Sequence, residues 1–77
     1  MTFRTVIHVL PYGFNMWQIK FENEPTEHSV YGTKYPAVEV ARALAKRHSP
    51  SQLVVHKEDA TIEYEYTYIG DPYPTSG

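Results

Sequence analysis

Residues 35–48, YPAVEVARALAKRH, are the one stretch of this chain whose apolar residues recur at helical spacing. At about 100° per residue, Ala37, Val38, Val40, Ala41, Leu44, Ala45 and His48 fall on one continuous side. Glu39, Arg42 and Lys46 fall opposite them. A side so rich in alanine lets a helix lie close to whatever it covers. The flanking segments read as strands, so the expectation is one helix on one sheet.

Residues 2–12 are rich in β-branched side chains (Thr5, Val6, Ile7, Val9) and read as a first strand ending at Pro11. Tyr12-Gly13-Phe14-Asn15 supplies Gly and Asn for positive φ and predicts a tight connection. Residues 16–22 alternate, with Trp17, Ile19 and Phe21 on one side and Met16, Gln18, Lys20 and Glu22 on the other. These two strands are expected to form an antiparallel hairpin. Residues 23–28, which include His28, are polar and broken by Pro25, hence a loop; residues 29–31 offer a short third strand. Thr33 is a candidate N-cap, Pro36 suits the first helical turn, and Ser49-Pro50 stops the helix after Lys46, Arg47 and His48.

Residues 53–56 read as a strand, 57–60 as a turn and 61–69 as a long final strand. In that strand Ile62, Tyr64, Tyr66 and Tyr68 share one face, and Glu63, Glu65 and Thr67 the other. No internal repeat is present. The fold class expected is α+β: a small antiparallel sheet in the order β-β-(β)-α-β-β with a single helix packed on one face. Residues 1–70 make one domain and residues 71–77, with Tyr73 between two prolines, a C-terminal tail.

At 77 residues the chain is near the lower limit for a core without staples, and it has no cysteine to supply disulfides or a Cys-based zinc site. Its seven tyrosines, three phenylalanines and one tryptophan fit the two remaining routes to stability, large packed side chains or oligomerisation. A net charge of −2 excludes a global basic field for nucleic acid or acidic membrane. No apolar run approaches the roughly 20 residues of a membrane span. The β-type alternation of the opening residues and Pro11 argue against a secretory signal, so a cytoplasmic protein is expected.

Val6-Ile7-His8-Val9-Leu10-Pro11 followed by Trp17-Gln18-Ile19 resembles the V-H-V-x-P…W-x-V opening of a small bacterial and phage group, domain of unknown function (DUF) family 2188. The resemblance continues through Thr33, Ala37, Ala41 and Ala45 to Leu53-Val54-Val55-His56 and Asp59, then Tyr68, Gly70-Asp71-Pro72 and Pro74. It covers nearly the whole chain. Two departures concern turns: Asp59-Ala60 stands where the family has Asp-Gly, and Met16 where it has Gly before the tryptophan. The resemblance implies the fold and leaves the biochemistry open.

His8 and His56, both within that motif, lie in strands that can be neighbours. They could hold an anion, a metal or a proton, or simply bond within the sheet. No third ligand is spaced to complete a metal site, so no metal and no cofactor are expected. Glu63 and Glu65, two apart on a strand, share a side and could do acid–base work, but they read more simply as solubilising charges. There is no nucleophile elbow and no phosphate loop, and a single-layer domain encloses little volume. No catalytic activity is expected.

The tyrosine row admits two placements. Packed against the alanine-rich helix it forms the core with Trp17, Ile19 and Phe21, and His8, Gln18, Lys20, Glu63 and Glu65 line a polar outer face. On the open face it is an aromatic platform for bases or a partner. Rings filling the space left by alanines favour the core, with Tyr68 partly exposed. Arg42 and Lys46, with Lys34 nearby, form a basic helix patch whose simplest reading is a solvated face, Glu39 pairing with Arg42.

The function expected is a non-enzymatic interaction module that binds a protein partner or its own copy. His8, Gln18, Lys20, His56, Tyr66, Tyr68 and Tyr73 are the candidate contacts. A nucleic-acid-binding module using the open sheet face and the helix cations is the alternative. A small-ligand or nucleotide binder of phage anti-defence type, seated in a crevice near His8, His56 and Tyr68, is a third.

Overall fold

Each alternating stretch of the sequence becomes a strand with one face turned to the helix. The computed structural model describes residues 5–22, 24 and 29–69; residues 2–4, His28 and the tail with Tyr73 lie outside the described residues. Along the chain come β1 (Thr5–Pro11), β2 (Trp17–Phe21), β3 (Ser29–Tyr31), α1 (Lys34–Arg47), β4 (Ser51–His56) and β5 (Ile62–Tyr68). The strands form a single five-stranded sheet in the order β3-β2-β1-β4-β5. The class is α+β, one helix on a mostly antiparallel sheet. The central pair, β1 and β4, is parallel, because α1 carries the chain back across the sheet before β4 begins.

Register shows which side chains share a face. Phe21, Ile7, Leu53 and Tyr66 form one cross-strand row; Ile19, Val9, Val55 and Tyr64 form the next. Ile7, Val9, Ile19, Leu53 and Val55 are almost completely buried, in one cluster with Ala37, Ala41 and Ala45 of α1. Those three alanines recur every four residues, so the helix presents a narrow stripe without bulk and sits low on the sheet. Val40 and His48, on the same side of the wheel, are exposed at the stripe's margins. His48 turns its ring edge to Phe21, with centroids 5.3 Å apart.

The ends of α1 are closed locally. Thr33 is the N-cap in extended conformation (φ −135°, ψ 161°) and makes no side-chain cap bond. Pro36 sits in the first turn, where no backbone N–H is needed. At the other end the His48 N–H donates to the Leu44 carbonyl, and the Ser49 hydroxyl donates to that of Lys46. Buried Ser51 donates its hydroxyl to the Ala45 carbonyl, fastening the start of β4 to the helix. The β1–β2 hairpin uses Gly13 (φ 62°) and Asn15 (φ 58°) as expected, closed by the Tyr12 N–H on the Met16 carbonyl at 2.7 Å. Among the described residues no helix is long and apolar enough to cross a membrane.

The tyrosine row departs from the expected core. Tyr64 and Tyr66 do face the helix side, but they are 44% and 57% exposed, and Tyr68 is half-buried. The cause is width. Five strands at about 4.8 Å spacing span more than the roughly 10 Å of one helix. α1 packs over β1, β2, β3 and β4, and reaches β5 through long side chains: Lys34 bonds Glu63, and Arg42 lines a groove with Tyr68.

A helix resting on buried alanines has no room for larger ones. Ala41→Leu is expected to destabilise the fold by about 1–3 kcal/mol through overpacking, measured as a lowered midpoint of chemical unfolding.

Candidate functional site

The space between α1 and β5 is a groove on the helix side of the sheet. Leu53 and the tyrosines Tyr64, Tyr66 and Tyr68 form one part of its lining, and Arg42 and Lys46 of the helix the other, around about 360 Å³. It continues past Arg42 and Tyr64 toward the helix N-terminus, where Lys34, Tyr35, Val38, Glu39 and Glu63 line it. Tyr66 and Tyr68 stack edge-on, with ring centroids 4.8 Å apart. The Arg42 guanidinium is held above its ordinary range, first by its hydrogen bond to Tyr68 and then by the Glu39 carboxylate at 3.3 Å. Lys34 is shared between Glu63 and the Trp17 ring, its ammonium 4.8 Å from the ring centroid. Of the groove's three cations only Lys46 has no carboxylate partner among the described residues.

Glu63 reaches this groove because of a bulge. Register shifts between Val55 and His56, so that His56 pairs with Ile62 while Val55 pairs with Tyr64. Glu63 therefore bonds Lys34 of the helix, whereas Glu65 accepts from Gln52 on the opposite face. The expected same-sided pair of carboxylates is thus split, and Ile62 leaves the tyrosine row.

On the open face His8 and His56 do meet. Nδ1 of His8 is 2.9 Å from Nε2 of His56, Nδ1 of His56 is 2.9 Å from the Ala60 carbonyl, and Nε2 of His8 is 2.8 Å from the Glu22 carboxylate. A carbonyl only accepts, so Nδ1 of His56 carries hydrogen there, and the direction of the His8–His56 link is set by which of the two rings carries the hydrogen between them. All three links are made together when one hydrogen lies between Nδ1 of His8 and Nε2 of His56, with Nε2 of His8 donating to Glu22 and Nδ1 of His56 to Ala60. The imidazoles are thereby spent on each other, on a turn carbonyl and on one carboxylate. Among the described residues no group of three or more His, Asp or Glu side chains is placed to hold a metal ion.

The turn that supplies the Ala60 carbonyl is tightly specified. The Ala60 N–H donates to the Lys57 carbonyl at 2.9 Å, and Ala60 adopts φ 73°. Asp59 accepts from the Thr61 hydroxyl at 2.6 Å and the Thr61 N–H at 3.0 Å. Those two bonds, the hydroxyl first, hold the Asp59 carboxyl below the usual carboxylate range.

The sequence-derived contacts therefore divide between two faces. His8, Gln18, Lys20 and His56 lie on the open face, where Lys20 stands opposite His8 and Gln18 opposite Leu10. Tyr66, Tyr68, Arg42 and Lys46 lie together in the groove. Tyr73 lies outside the described residues. No single crevice joins His8 and His56 to Tyr68, since the sheet separates them. Sequence reasoning had named Lys34 beside the basic helix patch and Tyr64 in the tyrosine row, and it missed Tyr35 and Glu63 as groove residues. The signal available was a count: one helix cannot roof every strand of so wide a sheet.

Comparison with known proteins agrees with this architecture in extent. The family model of DUF2188, uncharacterised proteins conserved in bacteria, matches residues 7–68. An uncharacterised protein of Bacillus subtilis (strain 168), YycD, is 38% identical over 53 residues, covering 68% of this chain and 77% of the relative. No solved structure matches the chain.

Two outcomes follow from the turn. Alanine at positive φ costs about 1–2 kcal/mol, and glycine removes that cost while loosening the unfolded chain. Ala60→Gly is therefore expected to stabilise by about 1 kcal/mol, seen as a melting temperature raised by several degrees. For Asp59, a folded-state pKa below the unfolded one means its contribution is complete above the ordinary carboxylate range. That contribution disappears as pH falls through the depressed value. Melting of wild type against Asp59→Asn down an acid series is expected to show the variant losing less stability.

Proposed function

Since the chain belongs to the DUF2188 family of uncharacterised bacterial proteins, its function rests on its own surfaces, and we propose a non-enzymatic module that binds protein along β5 and the adjoining groove. One observation carries this reading. Tyr64 and Tyr66 extend the buried rows of the core yet remain 44% and 57% exposed, because no described element lies over them. Large rings at the end of a core row are surface that a partner can bury, and tyrosine suits this because it offers area and a hydroxyl with few rotatable bonds. The neighbouring backbone edge can extend the sheet, as in strand addition.

Charge favours protein over nucleic acid. Lys34 and Arg42 are already paired to Glu63 and Glu39, so the groove offers Lys46 alone to a phosphate chain. The second reading, single-stranded nucleic acid, draws on the proximity of three tyrosines to Arg42 and Lys46. That arrangement lies beside the helix rather than on the open sheet face. The absence of cysteine suits a reducing bacterial cytoplasm.

The test is affinity capture from bacterial lysate with wild type and Tyr66→Lys, with and without nuclease, at low and high salt. The expected outcome is a protein retained by wild type whatever the nuclease treatment, and lost with the variant. Recovery of nucleic acid that disappears at high salt would replace this reading with the second.

A further inference from the structure

Resting on that reading, we propose that the occupant of the β5 edge is a second copy of this chain, joined antiparallel about a two-fold axis through Tyr66. β5 is the longer of the two outer strands, seven residues against three in β3, and carries neither proline nor lysine along it. Devices that blunt an edge against pairing are thus confined to two glutamates and the bulge at its start. From Tyr64 to Tyr68 the pairing with β4 is regular.

The sequence of β5 selects the register. Centred on Glu65, a symmetric pairing would set the two Glu65 carboxylates directly opposite each other, which is unfavourable. Centred on Tyr66, it sets Tyr66 against Tyr66, Tyr64 against Tyr68 and Glu65 against Thr67 of the second copy. No carboxylate opposes another, and every tyrosine of the row faces a tyrosine. Side chains directly opposite in an antiparallel pair share a face, so both helices lie on the same side of the joined sheet. The two tyrosine rows then fill the trough between them.

Charge agrees with this arrangement. The groove has Glu63 and Lys34 at one end and the unpaired Lys46 beside Tyr68 at the other. Antiparallel pairing lays Lys46 of one copy alongside the end of the other where Glu63 and Lys34 already neutralise each other. A parallel pairing would lay Lys46 beside Lys46. The self-complementary partner is therefore an antiparallel copy.

Sedimentation or light scattering over a concentration series tests the proposal. Wild type is expected to approach twice the 8.9 kDa chain mass. Tyr66→Lys and Tyr66→Glu each place like charges across the axis and are expected to lose at least about tenfold in self-affinity. Their unchanged circular dichroism would confirm folding, and an equimolar mixture of the two is expected to return to the dimer mass. Because the chain lacks cysteine, Tyr66→Cys is expected to cross-link to its own copy on oxidation, and Thr67→Cys is not. A monomeric wild type, or dimerisation untouched by both charge variants, overturns the proposal. If wild type is monomeric but Tyr66→Lys still abolishes capture from lysate, only the second copy is overturned and the interaction module stands. If capture is also indifferent to Tyr66→Lys, both are overturned.

Discussion

The close seat of α1 on the sheet governs the rest of this molecule. Three buried alanines at intervals of four residues remove side-chain bulk from the helix, so the sheet residues Ile7, Val9, Trp17, Ile19, Phe21, Leu53 and Val55 supply most of the volume beneath it. Packing of this kind is dense because one side brings shape and the other brings mass. It also fixes where the helix cannot go. A helix held low over the centre of the sheet cannot shift toward β5 without lifting off its alanine stripe, so the edge strand stays unroofed.

The groove is therefore a consequence of the core. Its tyrosines are continuations of core rows, and its cations are the flank of the helix that forms the core's lid. Lys34 bridges the gap by bonding Glu63, while Arg42 and Tyr68 face each other across the lining without filling it. The open face is organised differently. There His8 and His56 form a line of hydrogen bonds from the Ala60 carbonyl to Glu22, joining β1 and β4 to a turn and to the residue after β2. Polar residues on an uncovered sheet face keep it hydrated, and this line stiffens the two strands at its centre.

Much of the fold was legible in the sequence because alternation is a local signal. Trp17, Ile19 and Phe21 marked β2, and the spacing of Ala37, Ala41 and Ala45 marked the helix. Gly13 and Asn15 announced the positive φ values of the first turn. What was not legible depends on lateral position. Whether Tyr64 is core or surface is decided by how far β5 lies from the helix axis, and alternation along a strand says nothing about distance across the sheet. The bulge that sends Glu63 to Lys34 was hidden for a related reason: it inserts one residue into the count, and every side assignment before it in β5 reverses. The parallel pairing of β1 with β4 depends on how a helical connection returns the chain.

That parallel pair has a consequence for how the molecule comes into being. β1 and β4 sit at the centre of the sheet, yet the helix and two other strands separate them along the chain. On a ribosome, β1, β2 and β3 emerge first as a hairpin and a short third strand. One flank of β1 and the floor of the future core then have nothing to rest on. Only when β4 has cleared the exit tunnel can Leu53 and Val55 close the core between β1 and the helix. Such distant contacts slow folding, because the intervening chain must be ordered before they form. β5 is then laid against a newly completed β4, and the tyrosine edge is the last surface of the sheet to form.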